Sequence, residues 1–155
     1  MDKVYTYIYG WLADKGYLAQ EDLYKHKPGF VKGNEIEIEI SGWKKITPYT
    51  KYWMTIKFHL WDAEDIEVLA EGKKKKLTRT RMRIEFKIWM DLDWENRWDK
   101  NKFTEGLRDF YHNYIIKRKI EDDWKVKLLK EEYEIHDNLK LMIDQEAAKW
   151  AKNEQ

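Results

Sequence analysis

The chain has 155 residues, 43% of them hydrophobic and 38% charged, with 30 basic and 29 acidic residues and a formal net charge of +1. That length allows one ordinary domain with a real core, and the apolar fraction excludes a disordered charged tail. The charge balance argues against a whole-molecule polyanion binder, the lack of cysteine excludes disulfides and thiol chemistry, and no apolar run approaches the ~18 residues of a membrane-spanning helix.

Val4, Ile8, Trp11 and Leu12 recur at three- and four-residue steps and predict a helix over 2–15, with Gly16 where a C-terminal glycine belongs. The start, MDKVYTYIYGW, lacks a basic leader and a small-residue cleavage site, so a cytoplasmic location is expected. Residues 17–33 carry no clean period and are expected to be irregular or to form a short helical turn. From Asn34 the period changes to two: Glu35-Ile36-Glu37-Ile38-Glu39-Ile40 describes a strand with one dry and one wet face. A turn at Thr47-Pro48 leads to a second strand over 50–61, a short third over 65–70, a turn at Glu71-Gly72-Lys73, and a long fourth over 77–94. Short connections favour a four-stranded antiparallel meander. Ile36, Ile38, Met54, Ile56, Phe58, Ile84, Phe86 and Ile88 are expected to be buried on one face of it.

After Asn101 the pattern is helical, over 102–152. Leu107, Phe110, Tyr111, Tyr114 and Ile115 form one stripe; Ile120, Trp124, Leu128, Ile135, Leu139 and Met142 form another. No Gly or Pro follows Gly106. One unbroken helix would be roughly 70 Å long, so a break is expected near Lys119–Trp124. The fold class is α+β: residues 1–33 as N-terminal helix and irregular segment, 34–94 as sheet, 102–152 as helices, with one sheet face covered.

Catalytic motifs are absent. There is a single serine, Ser41, with no nucleophile elbow, glycine-rich phosphate loop or dinucleotide fingerprint. Asp109 and His112 stand one helical turn apart, but a di-iron site needs such a motif twice, and Glu132 and His136 are four residues apart. Asp91, Asp93 and Glu95 begin like a calcium loop, but Asn96 and Lys102 stand where its glycine and last glutamate belong. No metal, cofactor or catalytic residue is therefore assigned.

The strongest local feature is basic. Residues 73–87 carry eight positive charges and one negative. Lys74, Lys76, Arg79, Arg81 and Arg83, with Lys57 and Trp53 on the neighbouring strand, are the candidate nucleic-acid contacts, because cations interleaved with aromatics on an open sheet hold phosphates and bases. The plainer reading is a self-paired face, since Glu35, Glu37 and Glu39 share it. Trp53, Trp61 and Trp89 are the candidate partner-binding residues, because outward tryptophans suit a protein interface. A membrane-interface role is disfavoured by the acidic segment 120–155, with ten acidic and six basic residues. Nine Trp, ten Tyr and five Phe make the chain rich in aromatics; abundant Lys and Glu, no Cys and only nine Gly plus Pro fit a heat-adapted protein with surface ion-pair networks.

Four stretches carry a resemblance: Gly42-Trp43-Lys44-Lys45-Ile46-Thr47-Pro48-Tyr49, Tyr52-Trp53 through His59-Leu60-Trp61-Asp62, Asp93-Trp94-Glu95-Asn96-Arg97, and Phe110 through Lys117. Together they resemble a group of small uncharacterised archaeal proteins. The resemblance implies an archaeal, cytoplasmic origin and transfers no activity or site residue. The expected function is a non-enzymatic module binding a protein partner or itself; the alternative is an RNA- or DNA-binding domain using the basic hairpin 73–83.

Overall fold

The computed structural model describes residues 2–29, 33–70, 73–96, 98 and 102–151. Helix α1 covers Asp2–Asp14. Its stripe follows the spacing: Ile8, Trp11 and Leu12 are buried and Val4 packs against them. The helix stops at its glycine. Gly16 takes φ +80°, its N–H donates to the Ala13 carbonyl, and the Tyr17 N–H reaches back to that of Leu12. This double closure needs a left-handed residue at Gly16, and it delivers Tyr17 into the core.

Four strands follow: β1 (Leu18–Lys27), β2 (Asn34–Lys45), β3 (Thr50–Ala70) and β4 (Lys73–Leu92). They form one antiparallel meander in the order β1-β2-β3-β4. The α+β architecture is as the sequence predicts, but the four strands are not the predicted four. Residues 17–33, expected to be irregular, contain β1. The strands expected over 50–61 and 65–70 are one strand of 21 residues. β1 lies at a sheet edge, is exposed along most of its length, and has a register shift between Glu21 and Leu23 that breaks any alternation.

Within β3 the phase changes at a bulge between Trp61 and Glu64, not at a turn. Asp62 absorbs it with φ +55°, and a bulge of this kind bends and twists the strand without ending it. Gly33 makes the room: a Cβ there would stand 2.8 Å from the Asp62 carbonyl carbon, and its own φ is +82°. Past Ala63 only β3 and β4 pair, so residues 64–70 and 73–79 form a two-stranded arm. The turn expected at Glu71-Gly72 lies outside the described residues.

Ile38, Ile40, Tyr52, Met54, Ile56, Phe58 and Leu60 are buried on the covered face. Ile36, Ile84, Phe86 and Ile88, expected to be buried, are only half-buried. The last three lie on β4, which has a neighbouring strand on one side alone.

The C-terminal segment runs through α2 (Lys102–Phe110), two wide-turned π-helical stretches (Tyr111–Ile116 and Lys119–Trp124) and α3 (Lys125–Ala151). The expected break does not occur. Arg118 (φ −60°, ψ −42°) and Lys125 (φ −63°, ψ −43°) stay right-handed helical on either side of the second π stretch, so one helix of roughly 70 Å runs from 102 to 151. The reason lies in the spacing. Ile116, Ile120, Trp124 and Leu128 are all buried, at strict four-residue steps. Four residues of α-helix turn about 400°, overshooting by about 40° per step, which would wind the stripe off the sheet. Turns closed by i→i+5 bonds are wider and keep it facing inward. Beyond Leu128, the buried Ile135 and Leu139 restore seven- and four-residue steps, and the α-helix resumes. Along the sheet α3 runs antiparallel to α1, tied by Lys3–Glu146 at 2.7 Å and Lys15–Glu134 at 2.8 Å.

Ile56→Ala should cost about 2–5 kcal/mol through lost transfer and a cavity. Phe86→Ala should fall below the ~3–5 kcal/mol of a fully enclosed phenylalanine, because one side of its ring is open. Reversible denaturant unfolding checks both; a larger loss at 86 than at 56 would contradict this core.

Candidate interaction surfaces

The uncovered sheet face carries a row of tryptophans set by register. Trp43, Trp53 and Trp89 are paired across β2, β3 and β4. Trp53 and Trp89 stack at 5.4 Å with planes 4° apart, and Trp43 tilts toward Trp53 at 6.3 Å. The Lys51 ammonium lies 4.1 Å from the Trp43 ring centre and 4.4 Å from that of Trp53. The Trp53 indole N–H donates to Asp91 at 2.6 Å. Trp53 is thus enclosed between Trp89 and the Trp43–Lys51 pair, which removes the open ring face a stacked base would need. Trp89, at the end of the row, keeps 36% of its surface exposed. Trp61 stands apart, stacked on His59 at 3.9 Å. Sequence reasoning missed Trp43 because it ended the first predicted strand at Ile40.

The basic strand is largely matched by carboxylates. Lys74 lies 3.7 Å from Glu67, Arg79 3.6 Å from Glu64, Arg81 2.7 Å from Asp62, and Arg83 2.8 Å from Glu85. Lys76 is paired in register with Glu67. Lys57 meets Glu39 at 2.9 Å, which raises the lysine's pKa. The seven candidate nucleic-acid residues therefore do not form one patch: Trp53 belongs to the tryptophan row, and Lys74, Lys76 and Arg79 to the arm.

Glu35, Glu37 and His59 are the one group among the described residues able to offer three ligand atoms within 4.8 Å of one another. The His59 Nε2 lies 2.6 Å from Glu35, while the Lys27 ammonium donates to Glu35 at 3.4 Å and Glu37 at 3.3 Å. Lys27 occupies the position of a cation between the two carboxylates, and a divalent ion would have to displace it. The hydrogen bond from His59, and then the charge of Lys27, hold the Glu35 carboxyl below its usual range.

At the β3/β4 end of the sheet, two motifs separate in sequence come together. Asp93 from one and Asp109 and His112 from the other line an open cavity of about 320 Å³ with Tyr49, Leu92, Asn96 and Arg108. Asp93 (φ +56°) and Asn96 (φ +50°) both sit in the left-handed region, forming a tight turn in which the Asn96 N–H donates to the Asp93 carbonyl at 2.8 Å. Burial, and then the Asp93 charge, push the Tyr49 phenol pKa up. Arg108 lies 3.5 Å from Asp109, and the Tyr111 ring meets Tyr49 edge-on at 5.5 Å and stacks on Trp98 at 5.9 Å.

This cavity fixes the orientation of α2. The inward side of α2 and of the π-helical stretch that continues it bears Thr104, Arg108, Tyr111 and His112, all half-buried. The outward side bears Phe103, Leu107, Phe110 and Tyr114, with exposures of 78%, 44%, 53% and 77%. Nothing in α2 is buried. An amphipathic helix of a folded domain ordinarily turns its apolar side inward; here the half-buried positions of α2 are Thr104 and Arg108, while the apolar strip faces solvent together with Lys102, Glu105 and Asp109. Lys117, Arg118 and Lys119, all exposed, follow directly.

No described helix is long and apolar enough to cross a membrane. Comparison with known proteins adds no relative: no protein family, curated protein or solved structure matches the chain.

The lowered Glu35 pKa carries a sign. The stabilisation it reports is present above the carboxyl's unfolded pKa and is lost as pH falls through the folded value. Carboxyl-carbon NMR titration should find Glu35 ionising below the usual glutamate range, and moving up in both His59→Ala and Lys27→Ala. Glu35 titrating at the ordinary glutamate value in the unsubstituted protein would remove the basis for this network.

Proposed function

We propose that this protein is a non-enzymatic interaction module that docks on a protein partner through the outward stripe of α2. The observation that carries this reading is the reversed helix: Phe103, Leu107, Phe110 and Tyr114, at four-, three- and four-residue steps, present one apolar strip to solvent. Helices recognised in this way lay such anchors into a hydrophobic groove, and the basic cluster 117–119 favours a groove with an acidic rim. A photoreactive phenylalanine analogue at position 110, in the full chain expressed in its native cells, should crosslink one protein. Titration of that purified protein should then lose about 2 kcal/mol or more with Phe110→Ala, the loss typical of an anchoring aromatic, at unchanged melting temperature. Crosslinking only to lipid or to a second copy, or unchanged affinity, would overturn the reading.

The alternative, RNA or DNA binding, is supported by Trp89, still exposed at the end of the tryptophan row beside Lys87, and by the lysines of the arm. The carboxylates paired with the basic strand weigh against it. If the arm contacts phosphates, replacing Lys74, Lys76, Arg79 and Arg81 with Gln should make the slope of log affinity against log salt shallower by about 0.7 per lost single-strand contact. No binding to single-stranded RNA at low salt would exclude this alternative.

A further inference from the structure

β4 is an edge strand of 20 residues, and a free edge of that length is a template for another strand unless it is blocked. Its first half is guarded by lysines and arginines. Its second half alternates, with Met82, Ile84, Phe86, Ile88 and Met90 on the covered face and only half-buried, while Met54, Ile56, Phe58 and Leu60 beside them on β3 are enclosed. Helix α3 reaches this row through His136, whose ring meets Phe86 edge-on at 5.6 Å. Leu129, seven residues earlier and so on the same flank of α3, is 43% exposed. The β4 side of the core is thus the side that lacks cover.

The same stretch is self-complementary about Phe86. Counting outward on the covered face, Ile84 answers Ile88 and Met82 answers Met90. On the open face Glu85 answers Lys87, Arg83 answers Trp89, and Arg81 answers Asp91. We propose that a second copy of this chain pairs its β4 antiparallel to this one, with Phe86 on the two-fold axis, so that the two sheets join into one of eight strands. In a two-fold contact residue i meets j and j meets i, so each of these pairs occurs twice. Side chains directly opposite on antiparallel strands interact, favourably for opposite charges and unfavourably for like ones, and arginine over tryptophan adds a cation–π contact. Each neighbouring register brings like charges together, whatever attractive pairs it keeps (Arg83 with Glu85 about Ile84, Arg83 with Asp91 about Lys87), whereas the register about Phe86 has no like pair. Centred on Glu85, that residue meets itself and Arg83 meets Lys87. Centred on Ile84, Arg81 meets Lys87; centred on Lys87, that residue meets itself; centred on Ile88, Glu85 meets Asp91. A two-fold axis perpendicular to the sheet also leaves both α3 helices on the same side, where the half-buried row and Leu129 gain cover.

This inference is independent of the α2 reading and can fail separately. Sedimentation equilibrium of the full chain at low ionic strength should give twice the 19.1 kDa chain mass. Glu85→Lys alone and Lys87→Glu alone each turn two attractive pairs into two repulsive ones, and each should weaken the dimer about tenfold or more. Both positions are exposed, and the Arg83–Glu85 pair that Glu85→Lys breaks, like the Lys57 it would then face on β3, lies at the surface, where such pairs contribute little to stability, so the melting temperature of either dissociated variant should stay near that of the parent monomer. The deciding measurement is the mixture. A chain carrying Glu85→Lys offers two positive charges where a chain carrying Lys87→Glu offers two negative ones, so equal amounts of the two should form a heterodimer although neither pairs with itself. The double exchange within one chain should also restore self-association. A monomer at every concentration, a dimer indifferent to Glu85→Lys, or a mixture that fails to pair would each overturn the proposal, as would a dimer lost only with Phe110→Glu.

Discussion

Where the layers meet, a single cation is shared by four elements. The Lys44 ammonium, on a side chain only 12% exposed, donates to both oxygens of Glu131 at 2.6 and 2.8 Å and to the Lys15 carbonyl at 3.3 Å. It lies 4.4 Å from the ring centre of Tyr17 and 5.7 Å from that of Tyr52. The Tyr17 hydroxyl completes the node by donating to Glu131 at 2.7 Å; burial, and then that carboxylate, raise its pKa, so it remains a donor. Enclosing such a pair costs more in desolvation than attraction returns unless its protons and lone pairs find partners, and here they do. The node fixes the rotation of α3 about its own axis, while the Tyr52 hydroxyl, donating to the Trp124 carbonyl at 2.7 Å, fixes its position along the sheet. With Glu131 and Glu134 turned to α1, the opposite flank, Leu129 and His136, must look toward β4. The incomplete cover of β4 follows from where Lys44 holds the helix.

The legible parts of the fold are those in which one face is dry. Strict alternation at 35–40, 52–60 and 82–92 places three strands and their core side, and the three- and four-residue steps of α1 place its stripe. β1 is illegible for the complementary reason: an edge strand with little burial is under no pressure to alternate. The bulge at Asp62 and the π turns are harder still, since the π turns contain no glycine or proline and the glycine that makes room for the bulge, Gly33, lies on another segment. The π turns nevertheless leave a trace in the repeated four-residue spacing of Ile116, Ile120, Trp124 and Leu128, which drifts off one face of a helix of period 3.6.

The surfaces divide along the same line. The tryptophan row needed the true extent of β2 before Trp43 could join it, whereas Leu107, Phe110 and Tyr114 stand in the sequence as part of an apolar stripe, which Phe103 joins in the structure. Periodicity says that a helix has an apolar side; it does not say which way that side is turned. Orientation came from residues far away in sequence. Tyr49, Asp93 and Asn96 offer α2 a polar seat, and Arg108, Tyr111 and His112 take it, leaving Phe103 and Phe110 outside.

Electrostatics limits what the basic strand can do alone. Phosphate binding draws much of its free energy from releasing condensed counterions when a protein cation takes their place. A cation already beside a carboxylate must first give up that partner, and the carboxylate it leaves then repels the incoming phosphate. Glu67, Glu64, Asp62 and Glu85 stand near Lys74, Arg79, Arg81 and Arg83, so four of the seven basic residues of 73–83 are answered within the fold. Exposed pairs of this kind contribute little to stability. Their effect is on pairing: they fix the register of β3 on β4 along the two-stranded arm, because a slip would separate Glu64 from Arg79 and Asp62 from Arg81.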